Sequence, residues 1–158
     1  MKKNTSGFTL VEVIISLVVL TTAAFGITQF LIWIQYSAQD NLYESVALNM
    51  ALNTLEQMKS TNVAGLETSI ANQTFVLTKS ASEQVTLRLG QENREISVPI
   101  VTNDDDVKNI LISLTPSITT LEGDIGFLLR VEYEYRHPRN DRPRTKVLSC
   151  IRSRVPVF

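Results

Sequence analysis

Glu12 is the first residue whose placement calls for chemistry. It is the only acid among residues 1–39, and the 27 residues from Val13 to Gln39 carry no charge at all. A carboxylate in such surroundings is costly unless a cation or several donors meet it, so its position asks for a partner. Immediately around it, Gly7-Phe8-Thr9-Leu10-Val11-Glu12-Val13 sets a glycine, an aromatic and an acid at fixed spacing before the apolar run. A second cluster is basic. Arg136, Arg139, Arg142, Arg144 and Lys146 place five positive charges in 11 residues, with Asp141 between them. Such a stretch can hold phosphates, meet an acidic protein face, or form a solvated turn. It has no interleaved aromatic platform of the kind that stacks single-stranded bases. Asp104-Asp105-Asp106 offers the oxygens that Ca²⁺ prefers. Consecutive acids seldom aim at one ion, however, and no glycine-spaced ligand pattern follows, so a solvated turn is expected there. The single histidine, His137, is expected to be exposed and idle in the basic loop. The single cysteine, Cys150, excludes an internal disulfide and a multi-cysteine metal site, and in the run Leu148-Ser149-Cys150 it reads as a buried free thiol. No Ser/His/Asp set, phosphate loop or metal-ligand spacing stands out, so neither catalysis nor a cofactor nor a metal is expected.

The element that positions Glu12 is an apolar helix. From Phe8 to Ile34, 16 of 27 residues are Phe, Leu, Ile or Val, and roughly 20 mostly apolar residues suffice to cross a bilayer. Their summed insertion free energy is on the order of −7 kcal/mol, against about 2.5–3.5 kcal/mol for one buried charge, so Glu12 does not prevent insertion. Lys2 and Lys3 precede the run and no positive charge follows before Lys59. This asymmetry predicts a cytoplasmic N-terminus with the remaining chain outside, and Trp33 and Tyr36 suit the far interface. A cleaved secretory signal would have a shorter core. An uncleaved signal anchor fits the hydropathy, but not an acid within its first turns.

The 158 residues suggest one domain with an appendage. The net charge of −1 hides an asymmetry: residues 40–134 hold 14 acids and 6 bases, whereas residues 135–158 hold 7 bases and 1 acid. A general polyanion binder is thereby excluded. No proline occurs before Pro99, which allows one helix from Phe8 to about Ser60, about 80 Å long. Past the apolar run, Tyr43, Ala47, Met50/Ala51, Leu55 and Met58 recur at helical spacing and predict a face packed on a following domain. Thr61–Gln73 reads as a connecting loop. Strands are predicted at Thr74–Lys79, Val85–Leu89, Glu95–Val101 and Ile110–Thr115. Phe127, Leu129, Val131, Tyr133 and Tyr135 alternate with polar or flanking residues in the clearest period-two pattern of the chain. Arg144–Ile151 is expected to return as the hairpin partner across a His137–Pro143 turn. The fold class predicted is α+β, a long N-terminal helix packed by its second half on a small antiparallel β-sheet.

The Gly7–Val13 motif resembles the cleavage and methylation motif of type IV pilins and of type II secretion pseudopilins. The resemblance implies residues 1–7 as a leader, 8–36 as the membrane or filament-core half of the helix, 37–60 as its amphipathic half and 61–158 as the head. It implies cleavage after Gly7 by a prepilin peptidase, N-methylation of Phe8, and pairing of Glu12 with the N-terminal amine of a neighbouring subunit. The implied partners are that peptidase/methyltransferase, other pilin or pseudopilin subunits and the inner-membrane assembly platform. The stretch ALNMALNTLEQMK, Ala47–Lys59, resembles the minor pilin V and minor pseudopilin I branch, which implies a minor subunit near a filament tip. Many filament-forming pilins kink at a proline in the membrane half, where this chain has Gly26 and Gln29; many close a C-terminal loop with a disulfide, which Cys150 alone cannot do. Three readings stay open: a filament subunit, a DNA-uptake subunit that touches DNA through Arg136, Arg139, Arg142, Arg144 and Lys146, and a plain signal-anchored domain.

Overall fold

The computed structural model describes residues 9–80, 83–91, 95–101, 107–136 and 142–154. Along the chain come α1 (Leu10–Ser60), α2 (Val63–Asn72), β1 (Thr74–Ser80), β2 (Glu83–Arg88), β3 (Ile96–Val101), β4 (Val107–Thr120), β5 (Gly126–Arg136) and β6 (Pro143–Ser153). A 3-10 turn at Glu122–Asp124 joins β4 to β5, with Gly123 supplying the positive φ of 76° that the turn requires. This is the α+β arrangement that the sequence predicts. The chain divides into two compact units, Met1–Gln39 and Asp40–Phe158.

In the first unit, α1 is long and apolar enough to cross a membrane by length and composition. Its large apolar side chains from Leu10 to Ile34 are 41–77% exposed. A helix apolar on every face has no preferred side to bury and suits a hydrocarbon surrounding. The threonine hydroxyls within it turn back on the backbone. Thr21 donates to Leu17 O at 3.0 Å, Thr22 to Val18 O at 2.9 Å and Thr28 to Ala24 O at 2.9 Å. Each hydroxyl is thereby satisfied without water, which an apolar medium demands. The helix runs through Gly26 and Gln29 without interruption.

In the second unit, the remainder of α1 buries Ala47, Ala51, Thr54 and Met58, with Tyr43, Met50 and Leu55 half-buried beside them. The predicted stripe is therefore the core face. Thr54 joins it because its hydroxyl donates to Met50 O at 2.8 Å, so the buried polar atom keeps a partner. The segment predicted as a loop, Thr61–Gln73, instead holds α2. Asn62 caps it by accepting from Gly65 N at 2.7 Å, Leu66 is buried with Val63 and Ile70 half-buried on the same face, and Gln73 ends it in the left-handed region at φ 54°. Gly65 in the first turn masked a helix that capping and the 63/66/70 spacing specify.

The strands form two sheets rather than the single one expected. β1 and β2 pair as a hairpin that buries Phe75, Leu77 and Leu87. The Gln57 side chain of α1 meets this hairpin as a strand residue would: its amide donates to Thr78 O at 2.6 Å, and its carbonyl accepts from Thr78 N at 2.8 Å. The second sheet is an antiparallel meander in the order β3-β4-β5-β6. β5 buries Phe127, Leu129, Val131, Tyr133 and Tyr135, and β6 returns beside it with Leu129 opposite Cys150 and Tyr135 opposite Arg144, as the alternation predicts. β4 is longer than expected. Its predicted end, Thr115, precedes Pro116, yet the strand continues to Thr120. β3 pairs only as far as Ile112, so the missing N–H of Pro116 faces a side where no β3 residue stands, and its carbonyl accepts from Gly90 N at 2.8 Å. Cys150 is a free thiol but half-buried rather than buried, because β6 pairs only with β5.

At Gly126 the β6 backbone leaves no room for a side chain: a Cβ there would lie 2.3 Å from Arg152 O and 3.2 Å from Ser153 Cα. Gly126→Ala forces the two backbones apart and lowers stability by about 1–3 kcal/mol. Gly26→Ala, where a Cβ meets nothing within 4 Å, leaves the head unchanged. Thermal unfolding of the full chain in detergent micelles, followed by circular dichroism, checks both; an unaltered midpoint for Gly126→Ala would refute the close-approach argument.

Candidate functional site

At the N-terminal end of α1, Thr9 and Glu12 close a reciprocal pair. Thr9 donates to Glu12 Oε2 from its backbone N at 3.1 Å and from its hydroxyl at 3.1 Å, and Glu12 N donates to Thr9 Oγ1 at 3.3 Å. This is a capping box: the threonine satisfies an orphan N–H of the first turn while the acid reaches back to the threonine N–H. A carboxylate in the first turn also meets the positive end of the helix dipole. Glu12 is thus aimed N-terminally, toward the chain that precedes Thr9. The sequence reading named Glu12 but not Thr9, although T-L-V-E spells the box. Gly7 and Phe8, the expected cleavage and methylation positions, lie outside the described residues.

The basic C-terminal cluster is spread over three places. Arg136 ends β5 and pairs with Glu95 at 3.4 Å. Arg139 and His137 lie outside the described residues, as do Asp104, Asp105 and Asp106, and Arg142 directly precedes β6. Arg144 and Lys146 stand within β6, two residues apart and therefore on one face, opposite Tyr135 and Tyr133 of β5. Arg144 reaches Asp40 at 2.9 Å, and Lys146 donates to Glu44, both acids lying on α1. The Tyr135 hydroxyl donates to the other oxygen of Glu44 at 3.2 Å. Two more arginines fasten the end of the strand. Arg152 donates to the carbonyls of Lys59 and Thr61, where α1 has run out of its own donors, and Arg154 binds Glu67 and Asp124 while lying 5.1 Å over the Phe127 ring.

Charge proximity acts on the titration of these groups. The hydrogen bond from Lys146 holds the Glu44 carboxyl below the ordinary glutamate range against the opposing effect of burial, and the Tyr135 hydroxyl adds to the lowering. The bond to Glu44 raises Lys146 in turn. Burial raises Tyr133 and Tyr135. Among the described residues, no group of three or more His, Cys, Asp or Glu side chains is placed to hold a metal ion.

Residues 2–28 match the family model described as the prokaryotic N-terminal methylation motif. This prepilin-type start supports a type IV pilin-like subunit. No curated protein and no solved structure matches the chain. The match covers Gly7, Phe8 and Glu12 together with most of the exposed apolar helix, and the head lies outside it.

Two predictions follow from this geometry. Thr9→Val removes the hydroxyl donor and acceptor of the capping box and costs the first turn about 1 kcal/mol; amide exchange at residues 12 and 13, which donate to Thr9, rises about fivefold, and unchanged exchange refutes the box. For Glu44 the folded-state pKa is the lower one, so its stabilisation is present above the unfolded value and is lost as pH falls through the folded value. The melting midpoint of the protein therefore exceeds that of Glu44→Gln at pH near 7, and the gap narrows as pH falls below the ordinary glutamate range. A gap that persists in acid would assign the effect to packing instead of charge.

Proposed function

We propose that this chain is a minor pilin-like structural subunit, made as a precursor and assembled into, or priming, a type IV pilus or type II secretion pseudopilus. In this reading a prepilin peptidase cuts between Gly7 and Phe8 and the new Phe8 amine is methylated. Glu12 then pairs with the N-terminal amine of a neighbouring subunit. The observation that carries the reading is the methylation motif matched at residues 2–28, which runs into a helix whose apolar side chains are exposed on every face. Such a helix needs either lipid or other helices around it, and a filament core supplies the second. Lys2 and Lys3 favour a cytoplasmic N-terminus in the inner membrane before assembly, with the head outside and the assembly platform as a partner.

The minor-subunit assignment rests on the resemblance of Ala47–Lys59, ALNMALNTLEQMK, to the minor pilin V and minor pseudopilin I branch. The DNA-uptake reading is weakened by the same ion pairs that engage Arg136, Arg144 and Lys146, since a cation already matched by a carboxylate offers less field to a phosphate. A plain signal anchor leaves the methylation motif without a purpose.

Mass spectrometry of the N-terminal peptide, in the cell envelope and in filaments sheared from the surface, tests the proposal. A methylated peptide beginning at Phe8 in the sheared fraction is expected of a surface pilus, and the same peptide confined to the envelope is expected of a pseudopilus or a priming role. A peptide that retains residues before Phe8 in both fractions refutes processing. Glu12→Ala is expected to be cut normally yet to accumulate in the membrane, with its filament incorporation reduced at least about tenfold; full incorporation would remove Glu12 from the assembly role.

A further inference from the structure

The two ion pairs between α1 and β6 form a ladder whose spacing is set by the elements themselves. Asp40 and Glu44 are four residues apart on the helix, a rise of about 6 Å. Arg144 and Lys146 are two residues apart on the strand, a rise of about 6.6–6.8 Å. The two repeats match, so Asp40–Arg144 and Glu44–Lys146 are in register together, and a shift of the helix by one residue breaks both. The ladder also stands at a boundary. Asp40 is the first residue of the second compact unit, and no side chain of residues 40–46 is buried; the first buried one is Ala47. Tyr43 and Val46 are half-buried there, and Leu42 is 41% exposed. From Ala47 onward the core face is continuous through Ala51, Thr54 and Met58.

Residues 40–46 therefore bury no side chain fully; Asp40, Tyr43, Glu44 and Val46 are half-buried, and the two ion pairs and the Tyr135–Glu44 hydrogen bond are among the ties that hold them. Arg144 and Lys146 are each 46% exposed, against 14% for Asp40 and 33% for Glu44, so water and salt reach the ladder from its cationic side and weaken the Glu44–Lys146 rung most. Local opening takes place where few apolar contacts resist it. We propose that the ladder is a releasable strap: when it opens, α1 detaches from the sheet between Asp40 and Val46 while Ala47–Met58 stay docked, so the head begins two helical turns later without unfolding. The buried rings of Tyr133 and Tyr135 oppose the release, since they face the strap from β5, and they keep it closed at rest. The groups that meet at the strap are Asp40 and Glu44 from α1, Tyr133 and Tyr135 from β5, and Arg144 and Lys146 from β6. None of this depends on what surrounds the apolar half of the helix.

Hydrogen exchange on the full chain in detergent micelles, with the charge pair reversed one member at a time and then together, tests the strap. Glu44→Lys and Lys146→Glu each raise exchange of amides 40–46 about fivefold at neutral pH, the effect expected from losing one exposed pair. Exchange of amides 50–58 stays unchanged. The double variant Glu44→Lys/Lys146→Glu restores protection to within about twofold of the parent. Unchanged exchange in the single variants, or a double variant no better protected than they are, overturns the ladder. An equal rise across residues 40–58 overturns the local strap by showing that the head opens as one body. If a charge-reversed chain fails to fold, the parent protein is measured at low and high salt: faster exchange at 40–46 alone in high salt supports the strap, and none refutes it.

Discussion

One helix has to satisfy two different surroundings, and most of the structure follows from how its sequence does so. Between Leu10 and Ile34 the side chains are apolar all the way round and exposed all the way round. Between Asp40 and Ser60 most apolar residues, Leu42 and Leu52 excepted, fall on one face, and Ala47, Ala51, Thr54 and Met58 close against the head. The change is one of periodicity, not of helix propensity, because α1 continues through both stretches. An all-round apolar helix gains nothing from docking on one sheet and needs a medium of its own kind, whereas a one-sided helix must have a sheet or it has no reason to hold.

The sheet answers the second half of the helix by volume. β5 contributes Phe127, Tyr133 and Tyr135 to the core, while the helix contributes mostly small side chains, Ala47, Ala51 and Thr54. Large groups on one layer and small ones on the other let two layers approach closely without voids. Tyr135 adds specificity to this packing: its ring is fully buried and its hydroxyl ends on Glu44, so a displaced helix would leave a polar tip without its acceptor. Gln57 does the same for the β1–β2 hairpin, where two hydrogen bonds to Thr78 reproduce a strand pairing from a helix side chain.

The parts of this fold that were legible in the sequence are those governed by local period. The alternation from Phe127 to Tyr135 gave β5 and its buried face, and the Tyr43–Met58 spacing gave the helix face, because each pattern is complete within its own element. α2 was missed although Asn62, Leu66 and Ile70 specify it, since Gly65 and the polar residues around it carry the composition of a loop. β4 was cut short at Pro116, a rule valid for a central strand, because nothing local reveals that β3 ends before reaching it. The basic residues were visible as a cluster, but not their use. Arg144 and Lys146 find partners about a hundred residues earlier in the chain, Asp40 and Glu44, and a pairing at that separation depends on tertiary register that charge counting cannot supply. The Thr9–Glu12 box is local and was open to reading.

That box bears on why a cut at Gly7 would matter under the proposed function. Thr9 gives the Glu12 carboxylate two donors, both neutral. They satisfy geometry but leave the charge in place, and a net charge surrounded by apolar helices stays expensive even when hydrogen-bonded. Thr9 and Glu12 lie on the same side of the expected cut, so the box survives processing and keeps the acid oriented. What processing adds is a cation: a free amine at Phe8, absent while the leader is attached because the same nitrogen is then a peptide N–H. Under that proposal the threonine aims the carboxylate and the amine of a neighbouring chain would neutralise it, two tasks that a single donor type cannot perform. An uncut neighbour lacks the second, and its apolar helix alone does not distinguish one register of packing from the next.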